Sequence, residues 1–360
     1  MDLLPTPDVM YRALVERDGA FDGLFLVGVR TTGIFCRPVC PARKPRPENI
    51  VWFADAEAAE RAGFRACKRC RPHEAPGRHP AWVERLIAAV ERDPARRVSD
   101  DALRRAELSP VRARRYFRER FGMTFQAWQR ARRLGLARER IAAGGAVLDA
   151  ALDSGFESAS GFRDAFQKLF GAPPARASAR PALVAREIGS PIGPLLAAAS
   201  TDGVALLEFV DRASLASQAA RMQRWFEAPV VPGTNRHLAA LERELAQYFA
   251  GERTRFDVAL AVAGTPFQRA VWEKLLGIPH GATRSYRAIA AELDRPGAQR
   301  AVGRANGLNR IAIVIPCHRV VRDDGTLCGY GGGLWRKRWL LAHERGRGAA
   351  TVTRARTRPA

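Results

Sequence analysis

Two sets of cysteines carry the residue types from which chemistry can be built. Cys317 is followed directly by His318 and preceded by Pro316, at the end of the apolar run Ile311-Ala312-Ile313-Val314-Ile315. Such a run stopped by proline reads as a buried strand, which puts a thiol and an imidazole on a turn at the edge of a core. An ordinary thiol is only a few per cent ionised near neutral pH, so a nucleophilic cysteine needs a base beside it. His318 could supply that base, with a water joining the two groups. Glu344, in Leu340-Leu341-Ala342-His343-Glu344, could orient the imidazole as a third member. Cys328 has no comparable neighbours and reads as structural.

The other cysteines form the pairs Cys36-x3-Cys40 and Cys67-x2-Cys70, the spacing of a tetrahedral thiolate site for one Zn²⁺. Most such sites only staple a small domain. Here Arg37, Arg43, Lys44, Arg46, Lys68, Arg69 and Arg71 surround the sulfurs. A bound metal holds the sulfurs deprotonated, and thiolate is the nucleophilic form. A net negative thiolate cluster repels an ordinary phosphodiester but tolerates a methyl phosphotriester, which is neutral. Displacement at the methyl carbon would leave an anionic diester and a neutral thioether. The cluster would lose one negative charge, which strengthens binding on a surface facing DNA. The spacing alone does not single out which of the sulfurs would react.

The elements that must carry these groups span 360 residues, enough for several domains. Lys plus Arg total 59 against 37 Asp plus Glu, a formal net charge of +22. Most of the excess is arginine, which favours bidentate contacts to phosphate and guanine, so DNA is the expected partner. No apolar run reaches eighteen residues, so no membrane span is expected. Met1-Asp2-Leu3-Leu4-Pro5 lacks the basic and apolar regions of a secretory signal. The cysteine pattern then reads as metal binding and catalysis in a cytoplasmic protein, not as disulfides.

Between the cysteine sets the pattern is helical, from Ala81 to about Arg176, with apolar residues three and four apart. It contains an internal repeat. Ser109 meets Ser158, Phe117 meets Phe166, Phe121 meets Phe170 and Gly122 meets Gly171, each pair 49 residues apart. A short helix capped by Ser99, a turn, then an arginine-rich helix opened by Ser109-Pro110 is a helix-turn-helix pattern. Arg112 and Arg115 in the first copy, and Ser160 and Arg163 in the second, are the candidate DNA contacts. Arg71–Pro80 reads as a proline-rich joint, and Ala172–Pro194 as a second linker. Leu195–Val210 reads as a hairpin around Thr201-Asp202-Gly203. Helices are expected over Ser214–Phe226, His237–Ala250 and Thr265–Ile278, and a disordered basic tail from Gly346.

Three stretches resemble known families. Val29-Arg30-Thr31-Thr32-Gly33-Ile34-Phe35-Cys36-Arg37-Pro38 and Ala62-Gly63-Phe64-Arg65-Ala66-Cys67-Lys68-Arg69-Cys70 are similar to the zinc domain of the bacterial Ada family of the adaptive response to alkylation. Ala150–Ser158 and Phe166–Gly171 resemble the AraC-type DNA-binding domain. Ile315-Pro316-Cys317-His318-Arg319-Val320-Val321 is similar to the active-site motif of O6-alkylguanine-DNA alkyltransferases. The same likeness runs through Ser285-Tyr286, Arg300–Asn306, Asn309 and Gly329-Tyr330-Gly331-Gly332-Gly333.

The resemblance implies a multidomain α+β chain. Residues 1–75 would form a small zinc-bound α/β domain and 80–176 an all-α double helix-turn-helix domain. Residues 183–263 would form an α/β alkyltransferase subdomain, 264–346 a helical, winged-helix-like catalytic subdomain, and 347–360 a disordered tail. It implies that Cys36 accepts methyl from phosphotriesters, with Cys40, Cys67 and Cys70 completing the zinc site, and that its methylation switches on transcription. It implies that Cys317 takes methyl irreversibly from O6-methylguanine, with O4-methylthymine as a further candidate substrate, each site acting once. Arg300 would fill the stack where the base is flipped out, and Tyr286 would assist extrusion and protonate the leaving guanine. Asn309 would hold the turn, and Tyr330, Gly331 and Gly332 would form the pocket wall. Some relatives carry a polar residue at the position of Gly331. Alkylated and promoter duplexes, and RNA polymerase, would be partners, in the cytoplasm at the nucleoid. Two rival readings have tests. A zinc- or redox-sensing AraC-type regulator would not be methylated at Cys36. A cysteine hydrolase would turn over and need an oxyanion hole, for which no sequence signal exists.

Overall fold

A computed structural model describes residues 4–18, 21–73, 79–177, 182–210, 222 and 225–346. The basic tail after Gly346 and most of the helix expected over Ser214–Phe226 lie outside the described residues.

The N-terminal unit packs α1 (Pro7–Glu16) against a small sheet of β1 (Leu26–Val29), β2 (Ile34–Cys36), β3 (Ile50–Phe53) and β4 (Arg65–Ala66), in the order β3-β1-β2-β4. Helix α2 (Ala56–Arg61), capped by Asp55, crosses from β3 to β4. Phe25, Phe35 and Phe53 fill the two faces of this sheet. The β2–β4 pairing is parallel, Ile34 opposite Arg65 and Phe35 opposite Ala66. Cys36 and Cys67 therefore leave adjacent strands side by side.

The helical unit follows as α3 (Ala81–Arg92), α4 (Asp100–Arg105), α5 (Pro110–Phe121), α6 (Phe125–Ala142), α7 (Val147–Asp153), α8 (Ala159–Phe170) and α9 (Pro174–Ala177). The repeat is visible residue by residue. Ser109 and Ser158 cap α5 and α8 by accepting from Arg112 N and Gly161 N. Both helices end on left-handed glycines, Gly122 and Gly171, at φ 71° and 70°. Helix α6 joins the copies, its Arg133 donating to Gly155 O at 2.7 Å. Gly155 has φ 72°, and a side chain there would meet Ala95 O at 2.1 Å, so the turn before α8 requires glycine.

The C-terminal unit begins with the sheet β5 (Leu183–Ile188), β6 (Leu195–Ala199), β7 (Val204–Phe209) and β8 (Val230–Pro232), ordered β7-β6-β5-β8. The β6–β7 hairpin turns at Thr201–Gly203, where it was expected. The expected linker Ala172–Pro194 is only partly one. Its centre is β5, paired on both sides, with Leu183 and Ile188 buried. Proline and alanine at its ends masked a short run, Leu-Val-Ala-Arg-Glu-Ile, whose outer residues pack inward. Helix α10 (Arg236–Phe249), capped by Asn235, packs against the sheet.

The catalytic segment holds α11 (Pro266–Leu276), β9 (Arg284–Ser285), α12 (Tyr286–Glu292), α13 (Gln299–Gly307), β10 (Val320–Val321) and α14 (Leu334–Glu344). Thr265 and Gln268 form a capping box at α11, with Pro266 in its first turn. The strand expected at Ile311–Ile315 is absent. These residues are buried but form a turn with Ile313 at φ 70°, and only Ile311 bridges to Leu207. Asn309 replaces the missing ladder: its amide donates to Ile315 O at 2.8 Å and its oxygen accepts from Ile311 N at 3.0 Å. Burial on every side, not pairing in a sheet, explains the apolar run.

Arg120 and His79 of the helical unit meet Glu187 on β5 at 3.0 and 2.9 Å, tying the two units together. No helix among the described residues is long and apolar enough to cross a membrane.

Candidate functional site

Cys36 ends β2, Cys67 follows β4, and Cys40 and Cys70 lie on the turns beyond. The ligand atoms of all four lie within 4.8 Å of one another. That many thiols at this separation cannot all ionise without a cation. Cys36 is pushed up by its hydrogen bond to Cys70 and by burial, while Cys70 is held low, to about 5, first by that same bond. An all-sulfur set of four donors this close together fits Zn²⁺.

Cys40 and Cys67 are buried, while Cys36 and Cys70 are partly exposed. Cys70 Sγ accepts the Arg37 N–H at 3.3 Å. Arg37 itself is clamped by Asp22, with Nε donating to Oδ1 at 2.7 Å and Nη2 to Oδ2. Lys44 donates to Pro38 O and Cys40 O, both at 3.2 Å, closing the loop between the first two sulfurs.

The second thiol sits in a single 3-10 turn, Cys317–Arg319, directly before β10. Cys317 is 6 % exposed, and its Sγ accepts from Asn309 Nδ2 at 3.1 Å. His318 and Glu344 come together as expected, with His318 Nε2 donating to Glu344 Oε1 at 2.8 Å. Arg319 donates to both oxygens of Glu344, at 2.8 and 2.9 Å, and the Tyr248 hydroxyl donates to Oε1 at 2.9 Å. Gly281 N completes the cage at 3.0 Å.

Burial would raise the Glu344 carboxyl, but the hydrogen bonds from His318 and Arg319 outweigh it and hold the group well below the usual range. Burial lowers the His318 imidazole despite the pull of Glu344, so the ring is neutral near pH 7. The pair is therefore a neutral imidazole donating to a carboxylate. With Nε2 carrying the hydrogen, Nδ1 offers a lone pair, and no described protein group bonds to it.

A small pocket opens on Cys317, walled by Asn309, Phe209, Tyr330, Gly331 and Gly332. A side chain at Gly332 would come within 2.5 Å of Phe209 and 2.9 Å of Tyr330, so the wall needs glycine there. Arg336 fixes the same wall by donating to Gly332 O at 2.9 Å and Ile192 O at 2.7 Å. An apolar cavity of about 390 Å³ between α3, α6 and the sheet of β5 to β8 borders no cysteine.

Tyr286 opens α12 directly after β9, whose parallel pairing with β10 places Arg284 opposite Val320 and Ser285 opposite Val321. This short ladder sets Tyr286 at a fixed distance from the Cys317 turn. Burial first, and then contact with Cys328, push its hydroxyl up, so it remains protonated. Cys328 Sγ donates to the Tyr286 hydroxyl at 3.6 Å. Arg300 is exposed on α13, beside Tyr286 and Gly303 in an open cleft. Arg112 and Arg115 are exposed on α5, and Ser160 and Arg163 on α8. The Arg112 guanidinium lies 4.9 Å over the Trp82 ring.

Sequence reasoning missed Arg319 and Tyr248 as partners of Glu344. Arg319 carried a signal, a basic residue directly after His318 in a segment expected to be buried. Tyr248 carried none, being 96 residues away on a helix whose apolar face explains it equally well.

Three family models match the chain. They are "Metal binding domain of Ada" over 9–73, "Helix-turn-helix domain" over 103–180, and "6-O-methylguanine DNA methyltransferase, DNA binding domain" over 266–346. The bifunctional transcriptional activator/DNA repair enzyme Ada of Escherichia coli is 37% identical, over 94% of this chain and 96% of its own. A methylated-DNA–protein-cysteine methyltransferase of Mycolicibacterium paratuberculosis is 47% identical over 47% of this chain and 96% of its own. A crystal structure of Mycobacterium tuberculosis O6-methylguanine methyltransferase is 45% identical, covers 47% of this chain and 96% of that one, and has a TM-score of 0.41.

Proposed function

The chain belongs to the Ada family of bifunctional transcriptional activators and DNA repair enzymes, and on that premise we propose a role for each of its sites. It is a methylated-DNA–protein-cysteine methyltransferase and a regulator in one polypeptide. Residues 1–75 hold the metal and the phosphotriester acceptor, 80–176 read promoter DNA, and 183–263 with 264–346 repair the base.

Cys317 is the acceptor for methyl from O6-methylguanine. Its thiol proton passes to His318 Nδ1, and Glu344 steadies the imidazolium that results. Asn309 presents the sulfur, and the thiolate attacks the methyl carbon in line. The carbon–oxygen bond breaks as the carbon–sulfur bond forms, and Tyr286 gives the departing guanine its proton. Arg300 occupies the stack left by the extruded base, while Tyr330, Gly331 and Gly332 receive it. The thioether has no route to hydrolysis, so each chain acts once at this site. The observation that carries the reading is the buried Glu344–His318 pair beside a thiol held by Asn309.

Cys36 is the acceptor for methyl from DNA phosphotriesters, with Cys40, Cys67 and Cys70 as the other ligands. Zn²⁺ held by these four residues would keep their sulfurs in the thiolate form near neutral pH. Cys36 displaces the phosphate diester from the methyl carbon, and the cluster loses one negative charge. Arg112, Arg115, Ser160 and Arg163 contact the duplex through α5 and α8, so this charge loss tightens promoter binding. RNA polymerase is then recruited, at the nucleoid in the cytoplasm.

A single-turnover assay on duplexes bearing O6-methylguanine tests the base-repair half. The unaltered chain should take up one methyl per molecule and stop. Cys317→Ser should take up none from guanine yet retain transfer from phosphotriesters. Continued turnover, or full guanine repair by Cys317→Ser, would contradict the assignment.

A further inference from the structure

We propose that Tyr248, outside the catalytic segment, is a positioning residue for methyl transfer to Cys317. The inference rests on Cys317 as acceptor and His318 as its base. Tyr248 lies on α10, is fully buried, and is held at both ends by α14. Its carbonyl accepts from His343 Nε2 at 2.7 Å, and its hydroxyl donates to Glu344 Oε1 at 2.9 Å. That is the same oxygen that accepts from His318 Nε2 at 2.8 Å. Phe249, Phe256 and His343 pack round its ring and leave it little freedom to turn.

Two consequences follow from sharing one oxygen. The hydroxyl fixes where Oε1 sits, and so fixes the imidazole plane and the direction of the Nδ1 lone pair. It also withdraws charge from the carboxylate, so the proton on imidazole is held less tightly than by a lone carboxylate. Burial keeps the hydroxyl protonated, so it acts only as a donor. The other groups around the pair are Arg319 on both oxygens of Glu344, Lys337 near His318, and His280 and His343 beside Tyr248.

The test reads single-turnover rates against pH for transfer to Cys317, with transfer to Cys36 from phosphotriesters as the control in the same chain. Tyr248→Phe should slow Cys317 transfer about ten-fold, the loss of one hydrogen bond to a charged group. It should also move the acid limb to higher pH by about half a unit, because an undiluted carboxylate raises the imidazole. Introducing 3-fluorotyrosine at 248 keeps the fold even if Tyr248→Phe does not. Its more acidic hydroxyl should move the acid limb the opposite way. Cys36 transfer should be unchanged in both variants. A merely structural tyrosine would give no shifts of opposite sign. Unchanged limbs in a chain that methylates Cys317 normally would overturn the role of Tyr248 alone. Failure of the unaltered chain to methylate Cys317 would overturn the underlying assignment instead.

Discussion

The two thiol centres solve one chemical problem in different ways. Cys36 is half-exposed on the rim of a small sheet, among four sulfurs that need a cation. Cys317 is buried, with a neutral imidazole and a caged carboxylate behind it. In the proposed reading, the first would activate sulfur by the fixed charge of a bound cation, the second by moving a proton when substrate arrives. Their products differ accordingly. Methylation at the partly exposed cluster would change the charge facing DNA and could be read as a signal. Methylation in the buried pocket would change no net charge, so on the proposed reading it would end repair without reporting it.

Removing metal should separate the centres most sharply. Chelation is expected to unfold the N-terminal unit and abolish Cys36 transfer, since structural zinc contributes about 10–16 kcal/mol of folding free energy in small domains. Cys317 transfer should persist. Hydrogen exchange and the two transfer assays check this, and parallel loss of both would erase the contrast. Glu344→Ala makes the converse break. It leaves Arg319 buried without its carboxylate, so denaturant melts should show a loss of about 3–5 kcal/mol. Cys317 transfer should slow by roughly 100-fold or more while Cys36 transfer is retained.

Much of this contrast could be anticipated from sequence because its determinants are local. Cysteine spacing encodes the zinc site, and serine caps with terminal glycines encode the repeated helices. The determinants that escaped are long-range. Ile311–Ile315 is apolar because it is enclosed, and a turn stabilised by Asn309 leaves the same trace as a strand. Strand β5 hid among prolines because its pairing partners lie elsewhere in the chain. The cage around Glu344 draws on residues 248, 281, 318 and 319, and no periodicity links them.

A pH series sharpens the comparison further. Glu344 is held below its ordinary 4.5, so its contribution to stability is present above that value and lost as pH falls through the folded one. His318 is lowered from 6.5, so the unfolded chain takes up its proton first, and stability falls as pH drops below 6.5. Transfer to Cys317 should accordingly keep its plateau at pH 6.5, with the acid limb below it. A limb well above that value would show an imidazolium ground state instead. The smallest effect is expected at Cys328→Ala. Removing a thiol 3.6 Å from the Tyr286 hydroxyl should alter Cys317 transfer only about two- to five-fold and leave Cys36 transfer unchanged.

The most direct measurement is peptide mass spectrometry after incubating the metal-loaded chain with a duplex that carries both lesions. One methyl on the peptide containing Cys36 and one on the peptide containing Cys317, with no further uptake from excess substrate, is the predicted outcome. Bound DNA with both cysteines unmodified, or methyl found on other residues, would contradict the account.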